Sequence, residues 1–162
     1  MRVGIGYDIH ELRRGRKLVL GGVTVPHPKG LVGHSDGDAL WHAVIDAILG
    51  ALGEGDIGTF FPDGDPRHAG APGSEFAREV MRLLKSRRLK VAHVDSVVIA
   101  EEPKLGPYKE GMRRNIARAL GLPERSVGVK AKTNEGFGPI GRGRAIACHA
   151  VASLVPAGRR GR

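Results

Sequence analysis

One segment of this sequence would form a helix with almost no polar face. Residues 35–52, SDGDALWHAVIDAILGAL, are apolar nearly all round a helix, and such a helix must be covered on several sides. Ser35 is its predicted N-cap, and Asp36 and Asp38 lie near the positive end of its dipole. The segment therefore predicts a largely buried helix in a layered domain.

The segments around this helix alternate between strand and helix patterns. A strand is predicted at 3–9, and two β-rich runs around Gly21 and Gly22 predict a hairpin. A loop rich in Gly, Pro and Asp is predicted at 56–73, and Ser74 caps a second helix. The other predicted elements are a strand at 93–100, a helix at 107–121 closed by Gly121, and strands at 126–133 and 144–155. This order predicts an α+β fold, a mixed sheet with helices packed on one face as a two-layer sandwich.

The bulk composition restricts the class of protein. The chain of 162 residues is long enough for one domain, predicted at 1–155, followed by a basic, disordered tail at 156–162. It has no apolar stretch of about 18 residues that would span a membrane. One cysteine, Cys148, excludes an internal disulfide, so a cytoplasmic protein is expected. The net charge of +9 suggests anionic partners, whereas 4% aromatic residues argue against a surface that stacks nucleic-acid bases.

Two groups of polar side chains interrupt the apolar segments. Successive side chains of a strand point to opposite faces, so Asp8 and His10 share one face of the first strand. On the helix, Asp38, His42 and Asp46 are one turn apart and share a face. A core histidine bonded to a carboxylate would explain the helix alone. Alternatively, His42 joins Asp8 and His10, because two histidines and one carboxylate form a ligand set typical of catalytic zinc.

Three loops carry residues suited to phosphate or polyol chemistry. His34 and Ser35 lie at the helix start, where they either cap the helix in the ordinary way or face a phosphate. The loop at 56–73 is typical of a lid over a polyol or of an ordinary surface loop. Thr133 and Glu135 follow a predicted strand, where a hydroxyl and a carboxylate can meet a phosphate and its hard metal ion.

Five motifs together are more specific than any of these spacings. They are RVGIGYDIHEL, GHSDGDALWHAVIDAILGAL, GDIGTFFPDGDP, EEPKLGPY and VKAKTNEGFGPIGRG, in this order between Met1 and about Val155. The chain thereby resembles the 2-C-methyl-D-erythritol 2,4-cyclodiphosphate synthase family of the non-mevalonate isoprenoid pathway. The resemblance implies a homotrimer around a central three-fold channel, with active sites between subunits. It also implies a small cytidine diphosphate substrate and no nucleic-acid or membrane partner.

The resemblance implies two kinds of metal site. Asp8, His10 and His42 would hold one zinc ion per subunit. Glu135 would hold magnesium or manganese on the diphosphate of the substrate. Gly4 and Gly6, which lie beside the zinc ligands in sequence, are expected to leave room for the substrate.

Catalytic and substrate-binding residues are also implied. His34 and Thr133 match the family's catalytic residues, which stabilise the transition state through hydrogen bonds to phosphate oxygens. In the family, the positions matching 56–58 and 61–65 hold the methylerythritol portion, and those matching 100–106 hold cytidine. The residues at all the substrate-binding positions are Asp8, His10, His34, Ser35, Asp56, Ile57, Gly58, Phe61, Pro62, Asp63, Gly64, Asp65, Ala100, Glu101, Glu102, Pro103, Lys104, Leu105, Gly106, Lys132, Thr133, Asn134, Glu135, Pro139 and Arg142.

The implied reaction needs no nucleophile from the protein. A lyase of this family cyclises 4-diphosphocytidyl-2-C-methyl-D-erythritol 2-phosphate, whose 2-phosphate oxygen attacks its own β-phosphorus with release of CMP. A phosphate monoester has a second pKa of about 6, so it is largely dianionic at neutral pH without a base. The protein is then expected to fold the substrate back on itself and to neutralise its charge.

Three positions depart from the family pattern. Gly64 makes the substrate loop looser, Pro139 replaces a usual aromatic residue, and Arg144 replaces a usual glutamate. By resemblance, Arg142 lies at the mouth of an axial channel that takes isoprenoid diphosphates. Arg142 and Arg144 together therefore predict an isoprenoid diphosphate or another anion on the three-fold axis.

Two other functions agree with parts of the sequence. A zinc-dependent phosphohydrolase would need a general base near the metal, for which Asp38 and Asp46 are candidates. A basic nucleic-acid-binding protein with a structural metal would explain the charge. That second alternative lacks the Cys/His spacing of a zinc finger and has few aromatic residues.

Overall fold

The computed structural model describes residues 1–62 and 64–158. Its strands are β1 (Arg2–Arg14), β2 (Leu18–Leu20), β3 (Val23–Val25), β4 (Lys29–Leu31), β5 (Leu89–Ile99), β6 (Val127–Lys132) and β7 (Ala145–Pro156). Its α-helices are α1 (Ala39–Leu52), α2 (Ile57–Phe60), α3 (Gly73–Ser86), α4 (Lys109–Leu120) and α5 (Gly138–Gly141). Short 3-10 turns cover Pro66–His68, Gly106–Tyr108 and Glu124–Ser126.

A mixed sheet with the strand order β4-β1-β7-β5-β6 forms one layer. Strand β7 pairs antiparallel with β1 and β5, whereas β5 and β6 are parallel. On β7, Cys148, Ala150 and Ala152 are buried, while Val151 between them is 43% exposed on the other face. The predicted α+β fold is confirmed, and so is the hairpin, because β2 and β3 pair around Gly21 and Gly22.

Helix α1 packs on β1 and β7 at unusually close range, and two glycines of β1 allow it. A Cβ on Gly4 would lie 2.2 Å from the carbonyl oxygen of Ala47, and one on Gly6 would lie 2.0 Å from that of Ala43. The prediction that these glycines leave room for substrate is therefore wrong, because the helix backbone fills that space. They act instead as the surface on which α1 rests, and we call Gly4 and Gly6 the glycine seam.

The predicted cap of the central helix is also wrong. The N-cap of α1 is Asp38, whose Oδ1 accepts a hydrogen bond from the N–H of Trp41 at 3.1 Å. The same carboxylate accepts from the N–H groups of Gly21 and Gly22, at 2.8 and 2.7 Å. Asp38 displaces Ser35 from this role because one carboxylate satisfies three backbone donors. Burial raises the pKa of Asp38, and these donors act in the opposite direction.

Several element bounds differ from the predicted ones. The predicted loop at 56–73 contains α2 and the turn Pro66–His68, and β4 and α5 were not predicted. Helix α3 begins at Gly73 after Pro72, without the side-chain cap expected from Ser74. Gly121 ends α4 in the left-handed conformation, with φ of 64°, which confirms the predicted end of that helix.

Strand β7 is the last element among the described residues. No helix within 1–62 and 64–158 is long and apolar enough to cross a membrane. Strand β7 ends at Pro156, and the N–H of Ala157 donates to the carbonyl oxygen of Arg88 at 2.9 Å. The rest of the predicted tail, residues 159–162, and the predicted site residue Asp63 lie outside the described residues.

Candidate active site

Asp8, His10 and His42 lie together on the helix-facing side of the sheet, and we call them the metal cluster. Asp8 Oδ2 is 2.8 Å from His10 Nε2 and 2.9 Å from His42 Nδ1. These two ring nitrogens are 3.2 Å apart. One ligand atom from each residue lies within 4.8 Å of the other two, a spacing at which a single metal ion can bind all three.

The metal cluster forms where two backbones pack against each other. Asp8 and His10 continue the alternation of Gly4 and Gly6 along β1, so all four positions face α1. Because α1 crosses β1 at the glycine seam, His42 is brought to the same point as Asp8 and His10. The geometry of the cluster thus follows from strand alternation and a close helix.

Each histidine of the cluster is held through its second ring nitrogen. His10 Nδ1 donates to the carbonyl oxygen of Val32, and His42 Nε2 is hydrogen-bonded to Ser35 Oγ at 3.0 Å. These bonds fix the rings so that the other nitrogen of each faces Asp8 and can serve as a metal ligand. Ser35, only 9% exposed, therefore acts on the site through His42.

Asp8 is ionised in this setting. Burial opposes its charge, but the hydrogen bonds and charges of His10 and His42 outweigh burial and lower the pKa of Asp8 to about 2. A divalent ion bound by one carboxylate and two neutral imidazoles leaves a site with net charge +1. Such a site attracts an anionic ligand such as phosphate.

A cavity of about 230 Å³ opens beside the metal cluster, and we call it the cluster cavity. Its lining consists of Asp8, His10, Gly33, His34, Ser35, His42, Ile57, Gly58, Phe61, His68 and Phe76. The predicted catalytic residue His34 and the predicted loop residues Ile57, Gly58 and Phe61 thus lie beside the cluster. His68 and Phe76 were not predicted, because they come from a turn and a helix start that no local pattern marks as functional.

The two candidate bases for a hydrolase have structural partners. Asp46 Oδ1 accepts from the N–H of Ile57 at 2.7 Å, which anchors α2 to α1. Burial raises the pKa of Asp46. Asp38 caps α1, as described above, and the described lining of the cluster cavity includes neither carboxylate. This arrangement gives no support to the hydrolase alternative.

Aspartates also shape the predicted substrate loop. Asp56 accepts from the N–H and Oγ1 of Thr59, both at 2.8 Å, and these bonds lower the pKa of Asp56. Asp65 accepts from the backbone and guanidinium of Arg67, which hold the pKa of Asp65 well below its usual range. Gly64 has open space around it, consistent with a loose segment.

A second group of predicted site residues gathers where β5 and β6 end. The strands are parallel, with Ile99 beside Lys132, so the chain leaves both at one edge of the sheet. A cavity of about 360 Å³ lies there, lined by Ala100, Pro103, Lys104, Leu105, Gly106, Pro107, Lys109, Ala131, Lys132 and Thr133. We call 100–106 with 132–135 the strand-end group.

The turn after β6 is held in an unusual backbone conformation. Glu135 has φ of 49°, and its Oε1 accepts from Thr133 Oγ1 at 2.6 Å. Glu101 Oε2 accepts from the N–H groups of Asn134 and Gly136, at 3.2 and 3.4 Å. A left-handed non-glycine residue costs on the order of 1 kcal/mol, so these bonds hold Glu135 where its side chain is exposed.

Within one chain, the cluster cavity and the cavity of the strand-end group share none of their described lining residues. Arg142 lies apart from both, in a cavity of about 430 Å³ that Glu101 and Glu102 also line. Pro139 belongs to α5 and is exposed. The single chain therefore assembles the metal cluster but leaves Thr133 and Glu135 elsewhere.

Known proteins match almost the whole chain. The model of the YgbB family matches residues 1–155. A 2-C-methyl-D-erythritol 2,4-cyclodiphosphate synthase of Alkaliphilus metalliredigens is 51% identical over 95% of this chain and 97% of its own length. A solved 2C-methyl-D-erythritol-2,4-cyclodiphosphate synthase with bound CDP has a TM-score of 0.87 and 41% identity, over 95% of this chain and all of that one. The bifunctional IspDF of Campylobacter jejuni has a TM-score of 0.90 and 39% identity, over 94% of this chain and 42% of that longer one.

Proposed function

The chain belongs to the YgbB family, and on this premise we propose how its separate groups of side chains share one reaction. It is a lyase of the non-mevalonate isoprenoid pathway that cyclises 4-diphosphocytidyl-2-C-methyl-D-erythritol 2-phosphate to 2-C-methyl-D-erythritol 2,4-cyclodiphosphate. The structural observation that carries the proposal is the metal cluster, with Asp8 bonded to both histidines beside a cavity that also includes His34.

The metal cluster is proposed to bind zinc. One carboxylate and two imidazoles are a ligand set of catalytic zinc, with a fourth position left open. When bound, the ion supplies that position to a phosphate oxygen and polarises the phosphate. The bonds to Val32 and Ser35 hold the rings of His10 and His42 with their other nitrogens toward Asp8, so these nitrogens would hold the ion. Ser35 is thus a positioning residue as well as a predicted phosphate contact.

The covalent change takes place within the substrate. An oxygen of the 2-phosphate attacks the β-phosphorus, a new P–O bond closes the ring, and the bond from the β-phosphorus to the bridging oxygen breaks. CMP leaves with that electron pair. Because the 2-phosphate is already largely dianionic at neutral pH, the protein contributes position and charge. His34 and Thr133 are proposed to hydrogen-bond the phosphate oxygens while charge moves between them.

Glu135 is proposed to bind magnesium or manganese together with the substrate diphosphate. A carboxylate oxygen is a suitable donor for these hard ions, so Glu135 would hold the ion and the ion would neutralise charge on the diphosphate. The bond from Thr133 Oγ1 to Glu135 Oε1 places the hydroxyl and the carboxylate side by side. The two residues could then act on neighbouring phosphate oxygens.

A homotrimer would bring the two groups together. We propose that the strand-end group of one subunit completes the cluster cavity of its neighbour and receives the cytidine portion. The outer face of the sheet supports assembly, because it exposes the apolar side chains of Val3, Ile5, Tyr7, Ile9 and Val151 to between 41% and 71%. An apolar sheet face of this kind is suited to burial against another copy of the chain.

An anion is proposed to bind on the axis of that trimer. Arg142 and Arg144 are both exposed in the turn before β7. Three subunits would bring two guanidinium groups each toward one axis. Repulsion at several ångströms is on the order of a kcal/mol per pair even with strong screening. An isoprenoid diphosphate or another anion between the arginines would relieve it.

The proposed activity is tested by product analysis. Incubation with the cytidine-linked substrate, zinc and magnesium is expected to give CMP and the cyclic diphosphate, separated by chromatography. Release of inorganic phosphate in place of CMP would identify a hydrolase instead. No consumption of the substrate by metal-loaded protein would contradict the assignment.

A further inference from the structure

His68 is a fixed part of the cluster cavity, although no motif singled it out. Its N–H donates to the carbonyl oxygen of Asp65 at 3.0 Å, and its own carbonyl oxygen accepts from the N–H of Ala71 at 3.1 Å. The side chain is only 21% exposed. His68 therefore belongs to the wall of the cavity, with its backbone held on both sides.

Two phenylalanines fix the plane of the His68 ring. The ring lies edge-to-face with Phe61, at a centroid distance of 5.4 Å and 86°, and with Phe76, at 5.4 Å and 77°. Phe61 and Phe76 in turn lie 4.7 Å apart. Edge-to-face contacts of this geometry are favourable. The imidazole of His68 therefore lies among the apolar side chains of Phe61, Phe76 and Ile57 in the lining of the cluster cavity.

The carboxylate of Asp65 lies on the Nε2 side of the His68 ring. Asp65 Oδ2 lies 3.8 Å from His68 Nε2, and the same carboxylate is held in place by the guanidinium of Arg67. A carboxylate on this side favours a proton on Nε2, and in that tautomer Nδ1 is the nitrogen that can accept a hydrogen bond. An acceptor nitrogen suits a hydroxyl, which can donate a hydrogen bond. It does not suit a fully ionised phosphate, which can only accept one.

We propose that His68 is a specificity-determining residue whose Nδ1 accepts a hydrogen bond from a hydroxyl of the methylerythritol chain. The inference rests on the proposed function, because there the polyol lies between phosphates bound near the metal cluster. The phenylalanine rings shield this bond from water. A substrate analogue without the hydroxyl would leave a polar atom unpaired among apolar groups, which is an effective basis for discrimination.

The variants His68→Phe and His68→Asn separate the ring from the hydrogen bond. Phenylalanine keeps an aromatic ring against Phe61 and Phe76 but has no acceptor, whereas the Oδ1 of asparagine can stand in for Nδ1. The measurements are KM for the substrate, Kd for CDP, which has no methylerythritol, and zinc content. We expect His68→Phe to raise KM roughly five- to tenfold, the loss of about one hydrogen bond. CDP binding and zinc content should stay within about twofold, and His68→Asn should keep KM within about threefold of wild type.

Three results would overturn the inference. They are a wild-type KM in His68→Phe, an equal loss of CDP affinity in that variant, and a KM raised equally in both variants. Failure of the proposed function is distinguishable, because the wild-type protein would then release no CMP. Thermal melting reports the fold of each variant, and His68→Leu replaces His68→Phe if the latter does not fold.

Discussion

The metal cluster and the strand-end group are built in different ways, although the proposed reaction needs both. The side chains of Asp8, His10 and His42 are 12–23% exposed, and each is held by a residue from another element. Glu135 is exposed in a left-handed turn, and its partner Thr133 is only two residues away. The contrast is that one chain brings the three residues of the metal cluster together, whereas Thr133 and Glu135 lie in a separate turn of the same chain.

The largest effect is expected from Gly6→Ala, which attacks the packing beneath the metal cluster. The new Cβ would lie 2.0 Å from the carbonyl oxygen of Ala43, so α1 must move off β1. We expect a loss of about 3 kcal/mol or more in the free energy of unfolding, measured by denaturant titration, together with loss of bound zinc. Gly64→Ala, at a position with open space, is the matched control and should change stability little. Similar stability of the two variants would show that the seam is not as tight as described.

His42→Ala tests the cluster without disturbing the packing. The buried apolar residues of α1 still hold the helix, so the fold should survive while zinc and activity are lost. Metal analysis of the purified variant is the measurement. Ser35→Ala keeps all three ligands and loses the hydrogen bonds of Ser35 Oγ with His42 Nε2 and with the N–H of Gly37. Because the ring of His42 is then less firmly held, zinc affinity should fall by about tenfold. Full zinc in His42→Ala would contradict the ligand assignment.

Mixing two inactive variants tests whether the groups meet across subunits. Glu135→Gln alone should retain zinc but lose the activity that magnesium or manganese supports, because a neutral amide is a poor ligand for a hard cation. After joint unfolding and refolding with His42→Ala, random trimers should regain about a quarter of wild-type activity. In an equimolar mixture, the subunit that supplies the metal cluster and the neighbour that supplies Glu135 are each intact in about half of the sites, and the two chances are independent.

The control for this experiment is each variant refolded alone, which should remain inactive. A mixture that also stays inactive, although both variants assemble with each other, would place both groups of a site in the same chain.

The smallest effect is expected from anions at Arg142 and Arg144. At matched ionic strength, sulfate or pyrophosphate should raise the melting temperature a few degrees above that in chloride, because ligands of the assembled state stabilise it. Arg144→Glu should lose most of this difference by restoring a counter-charge. Equal melting temperatures in all salts, or an undiminished anion effect in Arg144→Glu, would rule out the axial site.

Local periodicity placed the residues of the metal cluster on the correct faces but did not decide their role. Alternation places Asp8 and His10 on one face, whereas His42, on a largely apolar helix, agreed with a core histidine as well as with a metal ligand. The resemblance to the family favoured the ligand, and the packing of α1 on β1 brings the three residues together. The cap was wrong because the sequence SDGD offers several candidates. Asp38 is the N-cap because its carboxylate also binds the N–H groups of Gly21 and Gly22, which lie in a turn distant in sequence.

Other features depend on tertiary packing and have no local signal. A glycine is equally compatible with an approaching ligand and with an approaching backbone. Only the packing of α1 on β1 shows that the space beside Gly6 is filled by a helix. His68 enters the cluster cavity only because the turn Pro66–His68 folds back toward Phe76 of α3. No local sequence pattern specifies that return.

The glycine seam also has a genetic consequence. Every single-nucleotide change in a glycine codon that alters the amino acid introduces a residue with a Cβ, and at Gly4 and Gly6 any Cβ meets the backbone of α1. No single missense change at Gly4 or Gly6 therefore avoids a clash with α1, whereas a Cβ at Gly64 meets no other atom within 4 Å. Random mutagenesis with selection for isoprenoid synthesis should leave both seam codons encoding glycine, because their first missense step already separates His42 from Asp8.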